Sequence, residues 1–174
     1  MIRKCFFSIA LSLMTLTAVA QIGAGQWKIH PYYVVDNITN CVDVGDKVYY
    51  LVGGSLYCYD KASNDNIAVD ISGSVNDMYV KQIYYNSNKG YLFIVYNNCN
   101  IDIITDDGRL VNLSAIKDVV LSKAKSVNDI TFADGFTYIA TSFGYITVED
   151  DTFKVLEVRY YDINLPSVAQ VGNY

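Results

Sequence analysis

Three stretches of the 174-residue chain repeat one unit: an aromatic-rich run, a tight turn holding Gly or Asn, and a second apolar run. They are residues 48–60 (VYYLVGGSLYCYD), 91–104 (YLFIVYNNCNIDII) and 137–148 (TYIATSFGYITV). The turns centre on Gly54, Asn98 and Gly144, so the unit recurs every 44 to 46 residues. That period matches one four-stranded propeller blade, and self-similarity constrains the architecture before any local propensity does. The predicted fold class is all-β: about three four-stranded antiparallel blades of an incomplete β-propeller, occupying residues 21–174.

Each repeat reads as four strands. The first blade, about 38–71, has strands at 41–44, 47–52, 55–59 and 66–71, with Gly45-Asp46 and Gly53-Gly54 at turns. Gly-Gly between such runs signals a two-residue hairpin, because the favoured turns need positive φ. The second blade, about 82–114, has strands at 82–85, 91–96, 100–104 and 110–113, with Asp106-Asp107-Gly108 turning into the last. The third, about 128–161, has strands at 129–132, 137–141, 145–148 and 155–161, with Asp134-Gly135 and Asp150-Asp151 at turns. Sixteen Tyr, paired at Tyr49-Tyr50, Tyr84-Tyr85 and Tyr160-Tyr161, suit half-buried pleated surfaces.

Two segments stand outside this pattern. In residues 114–125, Ser114 is placed to cap a helix and Ile116, Val119 and Val120 form a narrow apolar stripe, which predicts a connector helix of about three turns. Residues 27–35 (WKIHPYYVV) read as an extra strand, with Trp27 and His30 as packing residues. Closed propellers carry about four to eight blades. Repeat units also rely on neighbours to bury faces that are apolar on both sides. The expectation is therefore the front portion of a larger propeller.

Residues 1–20 open with Arg3-Lys4, run apolar from Cys5 to about Ala18, and end Ala18-Val19-Ala20. A short positive region, an apolar run and an A-x-A site predict a secretory signal. The run falls short of the ~20 residues a spanning helix needs, so no transmembrane segment is expected after cleavage. Loss of Arg3 and Lys4 moves the formal charge from −5 to −7. An acidic exported chain argues against nucleic acid, whose phosphates require a basic face, and against charge attraction to anionic lipid. Cys41, Cys58 and Cys99 remain. Export permits disulfides, but the number is odd and no pair has C-x-x-C spacing, so all three are predicted as buried single thiols packing as small hydrophobes.

Reaction chemistry is missing from the pattern. One histidine excludes a multi-His metal site and leaves only His30 as a general base. No Ser stands in a G-x-S-x-G setting. Asp106-Asp107 and Asp150-Asp151 fall in hairpins, where Asp supplies turn hydrogen bonds. Asp102, on the predicted strand 100–104, is the candidate ligand contact, provided it faces a central channel. The Gly-rich spots lie in hairpins and not between strand and helix, so no phosphate loop is indicated. Asn37-Ile38-Thr39 and Asn112-Leu113-Ser114 fit a glycosylation sequon. No catalytic, cofactor-binding or metal residue is assigned, and no enzyme is expected.

Ile22-Gly23, Gln26-Trp27-Lys28-Ile29-His30, the run 48–60, Asn100-Ile101-Asp102-Ile103, Val127-Asn128-Asp129-Ile130 and residues 138–148 are informative together. They resemble the N-terminal propeller of the surface propeller family of the Por (type IX) secretion system in Bacteroidetes. Related two-component regulator propellers form the periplasmic sensor region of hybrid histidine kinases. The resemblance covers nearly all of residues 21–162. It implies an exported component that works at the outer-membrane surface and assists the complex attaching cargo to an anionic lipopolysaccharide, without being the sortase. For this chain it implies a non-catalytic binding or scaffold module in the periplasm or at the outer-membrane surface. Its expected partner is an envelope protein or glycan, the attachment complex and lipopolysaccharide included. A periplasmic ligand-sensing propeller of a hybrid two-component kinase is the alternative. A carbohydrate-active propeller enzyme is disfavoured by the lack of a convergent carboxylate pair.

Overall fold

Twelve strands form three separate four-stranded antiparallel sheets, each a simple meander in chain order. The computed structural model describes residues 37–69, 79–161 and 163–169. The predicted signal, the strand at 27–35, Trp27 and His30 lie outside them. The first sheet is β1 (Ile38–Val44), β2 (Lys47–Val52), β3 (Ser55–Asp60) and β4 (Asp65–Ala68). The second is β5 (Val80–Asn86), β6 (Tyr91–Tyr96), β7 (Ile101–Ile104) and β8 (Leu110–Leu113). The third is β9 (Val127–Ala133), β10 (Phe136–Thr141), β11 (Gly144–Glu149) and β12 (Val155–Tyr160). Three blades of propeller type are thus present, as the repeat predicts. The outer strand expected at 66–71 is shorter, ending at Ala68, and residues 70–71 lie outside the described part.

Local chemistry sets these strands. Gly53 and Gly54 have φ of 58° and 79°, the pair of positive values that a two-residue hairpin twisting with its strands requires. Each first strand carries one unpaired residue at the same place: Thr39, Lys81 and Asn128 are skipped where β1, β5 and β9 pair with β2, β6 and β10. A bulge adds local twist and bends the strand carrying it. Three bulges at one repeat position mark β1, β5 and β9 as the same structural element, although their sequences differ.

Packing between sheets explains the apolar composition. In β6 every residue from Leu92 to Tyr96 is buried, which alternation against a single core cannot produce. Phe93 and Val95 join Ile101, Ile103, Ile130, Ile139, Ile146 and Val148 in a core shared by the second and third sheets. Leu92, Ile94 and Tyr96 join Leu51, Leu56 and Ile83 in the core shared by the first and second. The middle sheet is therefore covered on both faces, each blade supplying half of its neighbour's core.

Polar contacts stitch the same two junctions. Asn40 Oδ1 accepts the Ile83 amide at 2.9 Å. Lys81 Nζ donates to the Val127 carbonyl at 2.7 Å, and the Tyr84 hydroxyl to the Asn128 carbonyl at 3.4 Å. Asp150 is buried and takes Asn86 Nδ2 at 3.0 Å and the Thr137 hydroxyl at 2.6 Å. Asp150→Ala strands two buried donors, so we expect a loss of roughly 1–3 kcal/mol. It should appear as a lower urea midpoint at unchanged slope. Asp151→Ala, which removes only the partly exposed ion pair with Lys89, should leave the midpoint nearly unchanged.

Two sequence expectations are corrected. Residues 114–125 do not form a helix: backbone turns close from the Asp118 amide to the Ser114 carbonyl at 2.9 Å and from the Val119 amide to the Ile116 carbonyl at 3.3 Å, and go no further. Ile116 is fully buried while Val120 is 95% exposed, although residues four apart share a helix face. The buried Ile116 pulls the chain into the core, and Lys125 Nζ folds back onto the carbonyls of Ile116, Lys117 and Val119 that a helix would have used. Cys58 and Cys99 are buried free thiols as expected, but Cys41 is exposed. On β1 the half-buried Asn40, Val42 and Val44 alternate with exposed Cys41 and Asp43, so strand pleating places Cys41 on the far face.

Candidate binding face

In a meander of four strands, the second-to-third turn and the link to the next blade fall at the same end of the sheet. Here that end carries the turns at Gly53-Gly54, 97–100 and Ser142-Phe143, together with the link 114–126 and residues 161 and 163–167. Hydrogen bonds lock the third turn to both flanking links. The Ser142 amide meets the Ser126 carbonyl at 3.0 Å, and the Ser142 hydroxyl takes the Ser126 amide at 3.0 Å and donates to Ala124 at 3.2 Å. On the other side the Tyr161 amide donates to the Phe143 carbonyl at 2.7 Å, and the Leu165 amide to Thr141 at 3.1 Å.

Between these fixed segments lies an open recess of about 460 Å³, walled by Leu121, Phe143, Tyr160, Tyr161 and Ile163. Phe143 is buried and stacks against Tyr160, with centroids 5.6 Å apart and planes at 24°. Tyr160, Tyr161 and Ile163 are 57%, 46% and 59% exposed, so the recess offers apolar surface to solvent. Tyr161 also leans on Tyr145 at 6.3 Å, and the Tyr145 hydroxyl donates to Glu157 at 3.3 Å. Burial, then the neighbouring Glu157 charge, raises the Tyr145 phenol above its ordinary value. At the blade junction, burial backed by Asp129 pushes the Tyr84 phenol up to about 12. Both hydroxyls therefore stay neutral at physiological pH.

The structure scatters the acidic residues read from the sequence. Asp102 does not line an open channel. It is fully buried, and its register opposite Ile94 puts it on the sheet face toward the first blade. Asn112 Nδ2 holds it, donating to Asp102 Oδ1 at 2.7 Å and to Asn100 Oδ1 at 3.0 Å. Asp106-Asp107 and Asp150-Asp151 fall at turns as expected. The Thr105 hydroxyl and then the Arg109 amide hold the Asp107 carboxyl below its usual range. The cross-blade role of Asp150 carried no signal in its own turn, since its partners Asn86 and Thr137 are remote in sequence. Asn37 of the first sequon is exposed, while the Asn112 amide of the second is engaged as above. The sequence reading also missed the recess. Its one local clue was the Tyr160-Tyr161 pair, read there as strand.

Among the described residues no helix is long and apolar enough to cross a membrane, and no cluster of three or more His, Cys, Asp or Glu could hold a metal ion.

No curated protein matches the chain in sequence. Solved structures do. PorZ of Porphyromonas gingivalis, a surface component of its type IX secretion system, is 25% identical with a TM-score of 0.63, over 73% of this chain and 17% of that one. The extracellular domain of BT4673 from B. thetaiotaomicron, named as a hybrid two-component system, is 9% identical with a TM-score of 0.62, over 82% and 19%. A second structure of that domain, named as a one-component system, is 10% identical with a TM-score of 0.57, over 81% and 18%. The chain thus spans less than a fifth of each. The BT4673 likenesses show a shared fold. The family described as the N-terminal β-propeller domain of PorZ matches residues 48–173, and the chain belongs to that family.

Proposed function

We propose that the chain is a non-catalytic, exported propeller segment serving as a binding or scaffold module in type IX secretion and the cell-surface attachment of proteins. It works outside the cytoplasm, in the periplasm or at the outer-membrane surface. The observation that carries this reading is the aromatic recess, whose walls are fixed by backbone hydrogen bonds before any partner arrives. A preformed wall costs little ordering on binding. Tyr160 and Tyr161 present apolar bodies with polar tips, the chemistry favoured at contact surfaces. An envelope protein or a glycan suits such a surface. Membership of the PorZ propeller family supports the setting.

The test replaces Tyr160 and Tyr161 by Ala in the chromosomal gene of the source bacterium and follows secretion cargo. The expected result is cargo displaced from the cell surface into the medium, with the amount of propeller protein unchanged. Cargo that remains attached would sink the proposal. A ligand-dependent change in transcription with normal cargo would instead favour the ligand-sensing propeller of a hybrid two-component kinase, the reading that the BT4673 fold likeness supports.

A further inference from the structure

The connector between the second and third sheets closes on itself through one side chain. Lys125 Nζ donates to the carbonyl of Ile116 at 3.1 Å, to that of Val119 at 2.7 Å and to that of Lys117. An ammonium group has three N–H donors and no acceptor, so three converging carbonyls use all of them. The oxygens come from one short stretch of backbone, where the turns closed onto Ser114 and Ile116 break off. Carbonyls left at the end of a helical turn attract a cation.

Both ends of this loop are anchored, but its middle is not. Ile116 is fully buried in the core that the second and third sheets share. At the other end Ser142 holds the Ala124 carbonyl and both backbone groups of Ser126, one residue to either side of Lys125. Residues 120–123 make no backbone–backbone hydrogen bond among the described residues, and Val120 points into solvent. Yet Leu121, Ser122, Lys123 and Ala124 form one wall of the recess. The Lys125 ammonium ties the first half of the loop to its pinned end, and so closes the span that carries this wall.

Backbone carbonyls gathered around one positive charge are the groups that replace the hydration shell of a monovalent cation. We propose that the carbonyls of Ile116, Lys117 and Val119 form a monovalent-cation site filled by the chain's own ammonium, and that Lys125 is thereby a positioning residue for the recess. Lys125 does not line the recess itself. It fixes where Leu121 stands relative to Phe143 and Tyr160. Its consequence for binding rests on the recess being the contact face, whereas the cation site does not.

The test follows the whole protein, its Lys125→Ala variant and its Lys125→Met variant. In both variants the hydrogen-bonded amides of Asp118 and Val119 should exchange at least about tenfold faster, with 80–113 unchanged. Hydroxyl-radical labelling of Leu121 should rise with them. Propylammonium chloride replaces the atoms that Lys125→Ala removes, and it should restore slow exchange and low labelling in that variant alone. Tetramethylammonium chloride at equal concentration carries the same charge without an N–H donor and should restore neither.

Unchanged exchange in Lys125→Met overturns the proposal, because the aliphatic stem would then suffice. So does equal rescue of Lys125→Ala by the two salts, or rescue by neither. Unchanged labelling of Leu121, or faster exchange throughout 80–113, overturns the positioning role. No partner enters these measurements. Cargo that stays attached in the Tyr160 and Tyr161 variant would therefore sink the binding face and leave the cation site standing.

Discussion

Gly144→Ala should cost on the order of 4 kcal/mol or more, the range reserved for a steric conflict that cannot relax locally. Gly144 opens β11 with φ of 144°, and a Cβ there would lie 1.8 Å from the Arg159 carbonyl oxygen and 2.9 Å from its carbon. Both are backbone atoms of β12, directly opposite in the ladder where Gly144 pairs with Tyr160. No rotamer change can make room. The outer strand must lift away, losing the Tyr161 to Phe143 hydrogen bond and the packing of Val155 and Val158 on the core. The control is Gly135→Ala, where φ is 84° but no atom lies within 4 Å of the new methyl. That variant should lose only about 1–2 kcal/mol of left-handed backbone strain. Urea titration of the two variants is decisive. Equal losses would mean that β12 is not held against β11 as described. Because Tyr160 stacks on Phe143, Gly144→Ala should also disassemble the recess, whereas Gly135→Ala should leave it intact.

The strands were legible because a two-residue period and Gly-bearing turns act locally. Gly53-Gly54 and Asp134-Gly135 announce their hairpins within four residues. The double burial of β6 was also visible, since Leu92-Phe93-Ile94-Val95 leaves no polar face. Longer-range physics decided the rest. Residues 114–125 carry a cap and an apolar spacing, yet burying Ile116 in the junction with the third sheet outweighs the few hydrogen bonds of a short helix, which is marginal without packing. Cys41 and Asp102 show the same limit. Which face of a strand a residue occupies depends on register: Cys41 lies just past the bulge at Thr39, and Asp102 is set by its pairing opposite Ile94, and no local motif announces either. The recess is hardest to foresee, because three segments remote in sequence build it, brought together by tertiary hydrogen bonds and the stacking of Phe143 on Tyr160.

Phe93→Ala should be nearly as damaging as Gly144→Ala, by a different mechanism. Phe93 is fully buried at the second junction, with its ring 5.1 Å from that of Phe132 across the sheets. Truncation removes the apolar area and leaves a hole ringed by strands from two sheets that cannot both close inward. A loss of about 3–5 kcal/mol follows, against a total stability of only about 5–15 kcal/mol for a domain. The position matters more than the residue type. Tyr138 occupies the matching place on the third sheet, where the hollow beside it is open. In a chain ending at Tyr174, Tyr138→Ala should therefore cost much less than Phe93→Ala. Equal losses in the short chain would show that the outward face of the third sheet is already covered. They would also contradict the account of one repeated face that is buried twice and left open once.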